Sequence, residues 1–153
     1  MNKAYSDKCL ELLLSRYPQF GKNIEWNYDG DFTWRAGLPW PNGWYSLGLD
    51  ASVRNSRYGD EFVIFLGNTH EQFADWDKTG EYSFLEPAFN LIDSILNEHK
   101  IMLAVWSNPK NFISYIKASD YEPVERDWKH GVFKIGRRSW LGTYDKDWER
   151  EVK

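Results

Sequence analysis

Residues 24–36 read Ile-Glu-Trp-Asn-Tyr-Asp-Gly-Asp-Phe-Thr-Trp-Arg-Ala, and residues 60–67 read Asp-Glu-Phe-Val-Ile-Phe-Leu-Gly. The first stretch holds two short alternating runs, Ile24 to Tyr28 and Phe32 to Ala36, on either side of Asp29-Gly30-Asp31. Asp-Gly between β-prone runs is a strong hairpin signal, because glycine tolerates positive φ. The second stretch has a continuous apolar centre, Phe62 to Leu66, which suits a strand buried on both faces. Between them, residues 37–43 carry two prolines and two glycines and read as a loop. Trp44 to Val53 then reads as a strand and Asn55 to Gly59 as a turn.

Helices flank this run of strands. Leu10, Leu13, Leu14 and Tyr17 fall at i, i+3, i+4 and i+7, which predicts a helix over 6–17 with Ser6 as N-cap and Pro18 and Gly21 as stops. Ser83 and Glu86 read as a capping box, and Leu85, Ala88, Phe89, Ile92, Ile95 and Leu96 form the core stripe of a second helix ending near His99. Lys100 to Ser107 reads as a buried strand. Residues 108–118 fit a short helix or a strand, with the strand favoured by Ile113 and Tyr115. Residues 119–129 read as a loop and Gly131 to Tyr144 as a last strand bent at Gly136. The expected class is α+β: a mostly antiparallel twisted sheet of about six strands with two main helices packed on one face. The expectation is one globular domain over 1–153, with a frayed charged end at about 146–153.

Length and composition agree with that class. The chain has 153 residues, and nine Trp, nine Tyr and nine Phe make 18% of it aromatic. Such a load excludes a disordered chain. No apolar run approaches the roughly 20 residues of a membrane-spanning helix. The single Cys9 excludes an intrachain disulfide and a Cys-based zinc site. The start of the chain lacks a basic stretch followed by an apolar core, so no signal peptide is expected. The expected setting is the cytoplasm.

The net charge of −4 conceals an asymmetry. Residues 59–98 hold Lys78 against nine carboxylates, Asp60, Glu61, Glu71, Asp75, Asp77, Glu81, Glu86, Asp93 and Glu98, for a net of −8. A field of that sign repels nucleic acid and attracts basic partners, unless the basic residues of the C-terminal third offset it in space.

Three places could carry chemistry or contacts. In Asn68-Thr-His-Glu-Gln-Phe-Ala-Asp-Trp-Asp77, His70 stands near Glu71, Asp75 and Asp77, groups able to move protons or hold a divalent metal. The spacing is poor for either, since adjacent His70 and Glu71 diverge on any regular backbone. The bland alternative is a helical turn starting at Asn68 or Thr69, with Phe73 and Trp76 packed inward. In Arg137-Arg-Ser-Trp-Leu-Gly-Thr-Tyr-Asp145, alternation puts Arg138, Trp140 and Gly142 on one strand face. Arg138 beside Trp140 could grip an anion. The alternative pairs an arginine with the acidic segment and makes Trp140 core. Trp34, Trp40, Trp44 and Tyr45 surround the proline-rich loop, where exposed rings could stack on a sugar or fill a partner's pocket. Phosphate-binding glycine loops and the Gly-x-Ser-x-Gly nucleophile motif are absent.

The order strand, His70-x-x-Phe73-x-x-Trp76, helix, strand and Arg138-Ser139-Trp140, over about residues 44–145, resembles small bacterial proteins of the toxin-immunity type. That resemblance implies a non-enzymatic protein of the bacterial cytosol that neutralises one toxin by plugging its active site. It transfers no catalytic residue.

The sequence therefore favours a non-catalytic protein-binding protein with a basic partner. The candidate contacts are Asp60, Glu61, His70, Glu71, Asp75, Trp76, Asp77, Trp40, Trp44, Arg138 and Trp140. No cofactor, metal, nucleic acid or membrane is expected. The alternatives are a small hydrolytic or metal-assisted enzyme using His70 with nearby carboxylates, and a ligand-binding module built on the aromatic loop.

Overall fold

The computed structural model describes residues 3–26, 32–41, 48–56, 59–76 and 78–151. Among them are two α-helices and nine strands in two antiparallel sheets, so the class is α+β. The chain divides into two compact units, one formed by residues 1–66 with 70–90, the other by 67–69 with 91–153.

The first unit holds helix α1 (Lys3–Arg16) and strands β1 (Ile24–Trp26), β2 (Phe32–Pro39), β3 (Gly48–Ser56) and β4 (Gly59–Leu66), with β5 (Thr69–Phe73) completing a sheet in sequential order. The hairpin read from Asp-Gly is present, with Ile24 opposite Ala36 and Trp26 opposite Trp34; its tip lies outside the described residues. Trp34, Val53 and Phe62 stand side by side across β2, β3 and β4, as do Ala36, Ala51 and Ile64. All six are fully buried. Residues directly opposite in antiparallel strands share a face, so this face is the core of the unit. It receives the helices: the Trp34 indole N–H donates to the Ser6 carbonyl at 2.9 Å, and Phe62 meets Phe89 edge-on at 6.2 Å. Phe89 in turn meets Tyr17 at 5.7 Å, and the Tyr17 hydroxyl donates to the Phe89 carbonyl at 3.0 Å.

Three local expectations are corrected here. Ser6 is not the N-cap of α1, which begins at Lys3; Ser6 lies within it, buried. The loop expected from residue 37 begins later, because β2 runs on through Gly37, Leu38 and Pro39 opposite Asp50, Leu49 and Gly48. A proline is tolerated at the last position of a strand, where it need not donate to the ladder. And residues 69–73 form β5 rather than a helical turn, after a tight turn in which Gly67 has φ of 63°.

Helix α2 (Leu85–Leu96) follows its predicted stripe, with Leu85, Ala88, Phe89, Ile92 and Ile95 buried. The boundary between the units falls within it, after Asn90. The second unit carries β6 (Lys100–Trp106), β7 (Ile113–Ala118), β8 (Lys134–Arg138) and β9 (Lys146–Glu149), in spatial order β7-β6-β8-β9. Residues 113–118 are thus the strand that β-branched and aromatic composition favoured. The start of the charged end does not fray: Lys146, Asp147, Trp148 and Glu149 pair with β8. On one face Ile101, Leu103 and Ile135 are buried, covered by Val105, Tyr121, Trp128, Val132 and Trp148. Basic side chains lie over these rings, Arg137 above Trp148 at 5.3 Å and Arg150 above Trp128 at 4.4 Å.

Among the described residues, no helix is long and apolar enough to cross a membrane.

Candidate functional site

The stretch 68–77 sets a histidine among carboxylates in sequence. The structure separates their roles. His70 is exposed on β5, and its ring lies 5.4 Å from that of Phe65 on β4. Phe65 also carries the Arg35 guanidinium at 5.4 Å from its centroid, and Arg35 pairs with Asp50. His70 thus ends a row of alternating charged and aromatic groups on the solvent side of the first sheet. Among the described residues, no group of three or more His, Cys, Asp or Glu side chains could hold a metal ion.

Asp75 works on its own backbone. One carboxylate oxygen accepts from the Thr79 N–H and hydroxyl, both at 3.0 Å, and the other accepts from the Gly80 N–H at 2.7 Å. The Lys78 N–H closes the turn on the Asp75 carbonyl at 3.0 Å. Lys78 and Gly80 both have positive φ, 53° and 76°. Desolvation works to raise the Asp75 carboxyl, but the donors from Gly80 and Thr79 outweigh it and hold the group below its ordinary range. Trp76 sits within this turn and is 61% exposed, the opposite of the inward packing that a helical turn would give it. Exposed Glu71 and Glu81 flank it in sequence. Asp77 lies outside the described residues.

The other carboxylates of 59–98 differ in exposure and in partner. Glu61 is 3% exposed, on β4 opposite Arg54 of β3, with one carboxylate oxygen lacking a hydrogen-bond partner. Asp60 is half-buried. Glu86 makes a long ion pair with Arg16 at 3.7 Å. Glu98 is 8% exposed and accepts from the Leu141 N–H at 2.9 Å, the Thr143 N–H at 3.2 Å and the Thr143 hydroxyl at 2.6 Å. Glu61 and Glu98 are directed inward and the Asp75 carboxylate is occupied by its own turn, so none of the three is displayed for direct contact with a partner.

Trp40, taken from sequence as an exposed loop anchor, is 2% exposed, and Trp34 is fully buried. An apolar ring at the end of a core strand is removed from water rather than displayed, so the aromatic-loop module loses the described part of its platform. Trp44 lies outside the described residues. Trp140 is also core, at 8% exposure. Arg138 is tied to Asp147 of β9 at 2.7 Å, not to the acidic segment. Neither is available as an exposed contact.

Sequence reasoning missed two residues that organise the second unit. Asn68 donates to the Phe112 carbonyl and accepts from the Ser114 N–H at 2.8 Å. Glu98 gathers the turn 139–145 described above. Each acts across more than forty residues, and no local pattern marks such a partner. An open cleft of about 550 Å³, lined by Glu125, Trp128, Lys129, Gly131, Val132, Arg150 and Glu151, contains none of the residues singled out from sequence. Its Arg150 is already held by Glu125 at 2.9 and 3.1 Å.

No family model, no curated protein and no solved structure matches this chain.

Proposed function

We propose that this protein is a non-catalytic protein-binding protein that uses the Asp75–Gly80 turn as its contact, with Trp76 as the anchor and Glu71 and Glu81 as the flanking charges. One observation carries the reading: a tryptophan 61% exposed on a turn fixed by three hydrogen bonds to one carboxylate. Tryptophan is the side chain most enriched among binding hot spots. Holding it on an ordered turn removes part of the ordering cost of association. The carboxylates beside it favour a basic partner and would act mainly on the association rate. The partner we favour is a secreted toxin domain, on the likeness of the element order and of His70-x-x-Phe73-x-x-Trp76 to toxin-immunity proteins.

The test is paired affinity purification from the source organism with the wild-type chain and Trp76→Ala as baits. The expected result is a basic protein retained by the wild type, retained roughly tenfold or more weakly by Trp76→Ala, and released earlier as salt is raised. Equal retention by the two baits overturns the proposal. The exposed ring contributes little to folding, so both baits should melt at the same temperature.

A further inference from the structure

We draw no further inference here: the strongest candidate, the acidic loop that runs from Asp75 into the first turn of α2 and sets Asp75, Gly80 and Glu86 at the spacing of a calcium-binding loop, is a cluster of carboxylates whose first member is already occupied by its own turn, and nothing else among the described residues points to a ligand there.

Discussion

The Glu98 carboxylate and the Thr143 hydroxyl, 45 residues apart in sequence, meet at 2.6 Å. Glu98 follows α2 in the left-handed region, with φ of 59°, a conformation that costs a non-glycine residue about 1 kcal/mol or more. Its side chain offsets that cost by gathering the N–H groups of Leu141 and Thr143 as well. Burial works to raise the carboxyl, but the side-chain donors of Thr143 and Ser139 and the two backbone donors prevail and hold it below the usual range.

Stability from Glu98 is therefore pH-dependent with a definite sign. The folded value lies below the unfolded one, near 4.3, so the contribution is complete above that pH and is lost as pH falls through the lower folded value. Glu98→Gln should cost about 1–3 kcal/mol at neutral pH, a fall in melting temperature of a few degrees. The gap from wild type should narrow at pH 3. Thermal melts at the two pH values check this, and a constant gap contradicts it.

Asn68 should be needed for the start of β7. Replacing it by Ala removes the groups that bond Phe112 and Ser114, at a cost of about 1–2 kcal/mol. The local sign is faster hydrogen exchange at the Ser114 amide, while amides of β8 lose protection only with global stability. Unchanged exchange at Ser114 would count against the clamp.

How far the sequence reached follows from the range of each interaction. Periodicity found α2 and five of its six core positions, Leu96 being only half-buried, because helix contacts recur every three or four positions. Asp-Gly found the β1–β2 hairpin, because that pairing is local. Alternation missed β5, since His70, Glu71 and Gln72 are all exposed and show no buried side. Charge counting placed an acidic surface on 59–98, but the inward turn of Glu98 depends on the turn at 139–145, which lies on another element. Trp40 and Trp76 were indistinguishable as loop tryptophans; only the core beneath one and the Asp75 turn beneath the other separate them.

Cys9 should be inert in the folded protein. Burial first of all pushes its thiol up to about 12, with the Tyr5 hydroxyl pulling modestly the other way. The thiolate is the reactive form, so a thiol reagent at pH 8 should label the native chain only as fast as it opens. In denaturant it should label one equivalent at once. Rapid labelling of the native chain would show that Cys9 is accessible.

Trp34→Phe should be among the costlier single changes in the first unit. It leaves a space in the core and removes the bond at 2.9 Å from the Trp34 indole N–H to the Ser6 carbonyl, which is left with its helical partner alone. The two effects together amount to about 2–4 kcal/mol. Equilibrium unfolding in urea should show a lower midpoint with an unchanged slope.

The second unit takes Gly67, Asn68 and Thr69 from a tight turn lying between two stretches of the first. The two units are therefore not beads that one genetic crossover could exchange. A gene fragment encoding 91–153 alone would carry β7 without the asparagine that holds its first residues. One encoding 1–90 would keep that asparagine with nothing to hold. Duplication or shuffling of this fold must copy both stretches together.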